Sequence, residues 1–186
     1  KDQKYVSIAA GPEQDGFFVV WQDGRLKGTQ DSFGDEYGHI LVGTRISWQG
    51  VTSGNEISLT SPDLSSSTTP AIACLQNNYL LTWADQGKIY GSRVSWEGET
   101  LDIEITDENT RLKKPFLLSD SDTTASFPSI AVNDSDGKAL VTWIASRDTT
   151  SQDISGVVYT PPEPPQLAWA GTLRRRSSSS TPWSGI

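Results

Sequence analysis

The chain of 186 residues has no methionine, one cysteine and one histidine. A single thiol excludes an internal disulfide framework. Cys74 sits within Ala71-Ile72-Ala73-Cys74-Leu75, where it reads as a small buried hydrophobe rather than a nucleophile. With His39 as the one imidazole, Ser–His–Asp catalysis and Cys/His zinc sites lack most of their parts. No Gly-rich phosphate loop is present. No apolar run approaches the roughly 18–20 residues of a membrane-spanning helix, so no membrane span is expected. The opening Lys1-Asp2-Gln3-Lys4 carries neither an apolar signal core nor an initiator methionine, and the sequence reads as an excised piece of something longer.

Positive charge is scarce as well. Fifteen Lys and Arg stand against 23 Asp and Glu, a net charge of −8. Residues 1–160 are more acidic still, with 12 basic against 22 acidic side chains. Such a surface repels phosphate backbones, so nucleic acid is not an expected partner. Helix signals are nearly missing. Gly, Pro, Ser, Thr, Asn and Asp punctuate the chain every eight to twelve residues, between short β-branched or aromatic runs, which predicts an all-β fold.

What the chain has in abundance is tryptophan, seven residues, and a phrase that returns three times. It runs Ser7-Ile8-Ala9, Phe17–Asp23 and Ile40–Gly50; then Pro70–Ala73, Tyr79–Asp85 and Ile89–Gly98; then Pro128–Ala131, Ala139–Trp143 and Asp153–Val158. Trp21, Trp83 and Trp143 lie 62 and 60 residues apart. A period of this size marks a repeat architecture, in which each unit needs its neighbours to bury its faces.

Each repeat predicts four antiparallel strands. The first is the Ile-Ala run (Ile8, Ile72, Ile130), and the second ends in tryptophan after a turn at Glu13–Gly16, Gln76–Asn78 or Asn133–Gly137. The third covers Ile40–Ser47 and Ile89–Ser95, closed by Trp-Gln-Gly and Trp-Glu-Gly turns. The fourth is Glu56–Thr60 and, after an insertion at 102–115, Phe116–Ser119. The third repeat lacks a fourth strand, because Pro161–Pro165 cannot donate to a ladder; eleven strands result. Ala9, Ala73 and Ala131 hold equivalent places in the first strand, where units crowding round an axis would exclude larger side chains. The expected organisation is three blade-like repeats of about 60 residues, at 5–69, 70–127 and 128–160, then a Pro-rich linker and low-complexity tail over 161–186. A three-unit β-sandwich array is the alternative to the blades.

Tyr79-Leu80-Leu81-Thr82-Trp83-Ala84-Asp85, followed by Ile89-Tyr90-Gly91-Ser92-Arg93-Val94 and a Gly-closed turn, resembles the repeats of secreted and cell-surface bacterial β-propeller proteins. The first repeat keeps Trp21, Asp23, Gly43, Arg45 and Gly50, with a longer loop at Gly24–His39. The third keeps Trp143, Ile154 and Gly156 and has no Arg-Val. The resemblance spans about residues 5–160. It implies a partial β-propeller and an extracellular or cell-envelope location. Propellers close with about four to eight blades, so three repeats imply either a longer propeller or a homo-oligomer that completes the ring.

The candidate ligand-binding residues are Trp48 and Trp96, repeated turn aromatics that a hairpin does not need and that suit carbohydrate or a protein partner. Packing over a neighbouring unit is the other reading. Asp23 and Asp85 end the second strand at matching positions and are either turn caps or paired acids. Asn133–Gly137 and Asp120-Ser121-Asp122 have the oxygen density that calcium favours, although Asp-Gly is also an ordinary hairpin turn; no other cofactor is implied. The expected function is a non-catalytic extracellular or cell-surface binding or adhesion scaffold. The alternative is a fragment of a propeller glycoside hydrolase acting on polysaccharide, which requires Asp23, Asp85 and a further carboxylate to converge within about 5–9.5 Å.

Overall fold

The computed structural model describes residues 3–11, 16–24, 39–60, 68–76, 78–105, 111–120, 123–133, 135–147 and 151–162. The turn at Glu13–Asp15, most of the Gly24–His39 loop, Asn77, Ser121, Asp122, Asp134 and the tail from Glu163 onward lie outside them. The described residues hold β-strands and no helix.

Three antiparallel sheets follow one another along the chain. The first joins β1 (Gln3–Ala10), β2 (Phe17–Asp23), β3 (Ile40–Ile46) and β4 (Thr52–Ser58) in simple order. The second joins β5 (Thr68–Cys74), β6 (Tyr79–Asp85), β7 (Lys88–Val94) and β10 (Phe116–Leu117). Within the 102–115 insertion β8 (Ile103–Ile105) and β9 (Arg111–Lys113) pair as a separate two-stranded ribbon, which the strand count from sequence did not include. The third sheet holds β11 (Thr124–Asn133), β12 (Lys138–Ser146) and β13 (Gln152–Tyr159), with no described fourth strand.

The ladder registers agree with the sequence repeat residue by residue. Ile8 faces Val19, Ile72 faces Leu81 and Ile130 faces Val141. On the other side of the second strand, Val20 faces Gly43, Thr82 faces Gly91 and Thr142 faces Gly156. Because side chains alternate faces with a period of two, agreement in register means agreement in which face each residue serves.

The first strand of every sheet is bulged opposite the tryptophan. Register shifts fall between Lys4 and Ser7, Thr68 and Ala71, and Ser126 and Ser129. The bulge residues Tyr5, Thr69 and Phe127 have φ of 52°, 48° and 52°, a left-handed conformation that is costly for side chains of this size. An unpaired bulge position does not donate to the ladder, so Pro70 and Pro128 can follow directly. Its return in all three sheets makes the strain a property of the repeat.

The sheets pack face to face in sequence order. Ala9, Phe18, Val20, Leu41 and Leu59 of the first sheet meet Ile72, Tyr79, Leu81, Trp83 and Val94 of the second. Leu75, Leu80, Ala84 and Ile89 on the reverse of the second sheet meet Ala125, Ala139, Val141, Trp143 and Ala145 of the third. Every residue of β6 is therefore buried, whereas β2 and β12 alternate between buried and more open positions. Contacts between sheets run mainly through the first strands β1, β5 and β11. The Ser7 hydroxyl there accepts the Ile72 amide at 3.2 Å. The fourth strands β4 and β10 touch chiefly their own sheets.

Candidate functional site

The two turns that carry Trp48 and Trp96 have the same internal chemistry. The Gly50 amide donates to the Ser47 carbonyl at 2.9 Å, and the Ser47 amide to the Val51 carbonyl at 2.8 Å. In the second sheet Gly98 donates to Ser95 at 3.0 Å and Ser95 to Glu99 at 2.8 Å. The serine hydroxyl accepts the amide four residues on in each case, at 3.3 Å from Val51 and 3.2 Å from Glu99. Gly50 and Gly98 take φ of +79° and +94°, the left-handed step that such a hairpin demands. The Ser95 hydroxyl also holds the exposed Glu97 carboxyl below its ordinary range.

The identical turns place their tryptophans differently. Trp96 stands edge-on to Tyr79 at 4.8 Å and packs against the core between the first and second sheets. Trp48 stands edge-on to Phe17 at 4.4 Å, on the outward side of the first sheet, and remains 47% exposed.

That outward face holds a cleft of 660 Å³ which sequence reasoning missed. Its wall is formed by Gln3, Lys4, Tyr5 and Val6 at the β1 bulge, Trp21 of β2, Thr44 of β3, and Thr52, Gly54 and Glu56 of β4. The bulge turns the backbone at Tyr5 so that Tyr5 and Val6 both stay exposed. The Trp21 indole is held from below: its N–H donates to Asp23 Oδ2 at 3.3 Å, and Gln3 Nε2 donates to the same oxygen at 3.4 Å. Prolines at 70 and 128, one residue after the positive-φ position, were the available signal for the bulge. The first repeat hides it by carrying Val6 there.

The two aspartates are inaccessible. Asp23 is 1% and Asp85 2% exposed, each at the buried end of its strand, and Asp23 is engaged by Trp21 and Gln3. Arg93 is matched by Asp102, whose carboxylate receives the guanidinium at 2.6 Å and 3.1 Å. This hydrogen bond raises the already high Arg93 pKa against the opposing effect of burial. The pair lies beside Tyr159 of the third sheet, whose phenol is pushed up by its own desolvation.

Among the described residues of the Asn133–Gly137 segment, the Asn133 and Asp136 side-chain oxygens serve the turn. Asn133 Oδ1 accepts the Ser135 amide at 3.2 Å, and Asp136 Oδ1 accepts the Lys138 amide at 3.1 Å. Among the described residues no group of three His, Cys, Asp or Glu side chains converges as a metal site. Among the same residues no helix is long and apolar enough to cross a membrane, which says nothing of a β-barrel.

A scan against protein-family models and a search of curated proteins found no match to this chain.

Proposed function

We propose that this chain is a non-catalytic binding or adhesion scaffold of an extracellular or cell-surface protein, built as part of a β-propeller, with carbohydrate as its ligand. The location rests on the resemblance of the Trp-x-Asp and Ile-Tyr-Gly-x-Arg-Val phrases to bacterial surface repeats. Three sheets of matching register whose first strands lie closest together support the propeller reading.

The observation that carries the function is the cleft on the outward face of the first sheet. Tyr5 and Trp21 supply flat apolar surface, while Gln3, Lys4, Glu56 and the Thr44 and Thr52 hydroxyls supply donors and acceptors around it. A sugar ring needs that combination: C–H faces that stack on aromatics and hydroxyls that seek paired polar groups. Trp48, exposed on the adjoining turn, extends the same face. Asp23 and Asp85 are buried where no substrate oxygen can reach them, which favours binding over glycoside hydrolysis. The test is titration with soluble oligosaccharides followed by tryptophan fluorescence. Tyr5→Ala and Trp48→Ala should each weaken binding by about tenfold or more, as loss of an aromatic anchor does. Wild-type affinity in both variants would sink the reading.

One observation favours a second occupant of the same face. Trp21 holds in the first sheet the place that Trp83 holds in the second, where it receives a neighbouring sheet. A second copy presenting its third sheet would complete a ring and cover the cleft. Light scattering over a range of concentrations reads this directly: a mass near twice 20.3 kDa supports the homo-oligomer, and 20.3 kDa throughout excludes it.

A further inference from the structure

Among the described residues the third sheet lacks the fourth strand that the other two possess, and they specify its chemistry. In the first sheet the Leu41 carbonyl accepts the Leu59 amide at 2.8 Å, and the Leu41 amide donates to Thr60 Oγ1 at 3.0 Å. In the second sheet Ile89 does the same with the Leu118 amide at 2.8 Å and Ser119 Oγ at 2.9 Å. The leucine enters a notch in both sheets. A Cβ built on Gly43 would meet the Phe18 ring at 2.6 Å and Leu59 Cδ1 at 3.0 Å, and one on Gly91 would meet the Phe116 ring at 2.5 Å and Leu118 Cδ1 at 3.0 Å, so an aromatic ring and the leucine share each notch. Directly opposite those glycines stand Ile57 and Phe116. The occupant of a third-strand edge is thus twice the same: a large apolar residue, any residue, leucine, then a hydroxyl side chain.

β13 repeats the receiving half of this arrangement. Ile154 faces Ile144 where Ile89 faces Ala84, and Gly156 faces Thr142 where Gly91 faces Thr82. The nearest atoms to a Cβ on Gly156 belong to Val141 and Thr142 of its own sheet, with no leucine in the notch. Among the described residues no strand lies beyond β13, and Ile154 and Val158 are 75% and 61% exposed. By register the outward N–H and C=O groups of Ile154, Gly156 and Val158 form a row ready to pair.

We propose that the outer edge of β13 is a docking edge for a β-strand of another polypeptide, with the pattern large apolar–any–Leu–Ser/Thr. Main-chain pairing supplies affinity, the Gly156 notch selects leucine, and the Ile154 amide selects the hydroxyl. The site is separate from the cleft on the first sheet and stands or falls independently of it.

The experiment uses the full chain and a synthetic peptide with the sequence of Lys114–Asp120, followed by amide NMR and hydrogen exchange. The amides of Ile154, Gly156 and Val158 should exchange rapidly in the chain alone and become protected on saturable peptide binding. Replacing the peptide leucine that corresponds to Leu118 by alanine should weaken binding by at least about tenfold, from the lost apolar burial. Ile154→Pro should abolish binding and shift the unfolding midpoint by no more than about 2 °C, since an edge strand tolerates proline where its N–H points outward. The proposal is overturned if the three amides are already protected in the chain alone. It is equally overturned if the alanine peptide binds as well as the parent, or if the peptide perturbs amides outside the third sheet.

Discussion

Trp83 and Trp21 occupy the same place in the same repeat, two residues before an aspartate and opposite a bulge, yet they live in different surroundings. Trp83 is 1% exposed, closed between the first and second sheets. Its indole N–H has no acceptor there among the described residues. Trp21 forms one wall of an open cleft, and its N–H is satisfied by Asp23. The middle sheet has a neighbour on each face and the first has a neighbour on one. Among the described residues, a repeat that is chemically uniform along the chain is thus interior in the middle sheet and open on the outward face of the first.

The sharpest way to break that comparison is to truncate both indoles. Trp83→Ala should cost about 3–5 kcal/mol of unfolding free energy, the usual penalty for emptying an aromatic site in a closed core. Trp21→Ala should cost about 1 kcal/mol, because a part-exposed ring loses less burial. Equal losses in chemical denaturation would mean that the outer face of the first sheet is covered in solution.

A smaller effect contrasts charge held at the middle sheet with charge at the outer one. Asp102→Ala removes the short paired contacts to Arg93 and leaves that partly buried guanidinium without its partner, at about 2 kcal/mol. Arg93→Ala in the Asp102→Ala background should then cost much less than Arg93→Ala alone, and additive losses would refute the coupling.

The smallest expected effect sits in the β11–β12 turn. Asp136 accepts the Lys138 amide and lies 3.2 Å from its ammonium, which together hold the carboxyl below its usual range while it remains exposed. A depressed folded-state pKa stabilises above the unfolded value of about 4 and is lost as pH falls through the folded one. Asp136→Asn should therefore lower stability slightly at pH 7, where the contribution is fully present, and the difference from wild type should vanish as pH falls below about 4, as thermal melts across that range would report.

The alternating apolar residues were legible because one-residue slips in a strand would turn every side chain to the wrong face. Hence Ile8, Ile72 and Ile130 fall at equivalent ladder positions, as the sequence repeat predicts, and so do Gly43, Gly91 and Gly156. The β8–β9 ribbon escaped notice because strands of three residues have too short a pattern to stand out. The bulges escaped because only two of the three carry a proline. The cleft escaped for a different reason: Gln3, Lys4, Thr44, Thr52 and Glu56 are scattered over three strands, and pairing alone assembles them.

Trp48 and Trp96 mark the division between what the chain carries and what its folding adds. By itself the sequence determined their turns, down to the glycine at positive φ and the serine hydroxyl that closes each hairpin, because those interactions span five residues. Only the tertiary structure decided that Trp96 is packed against a core and Trp48 stands open. Turn geometry is local, whereas burial needs a neighbouring sheet; Trp96 has the first sheet beside it, and Trp48 has solvent.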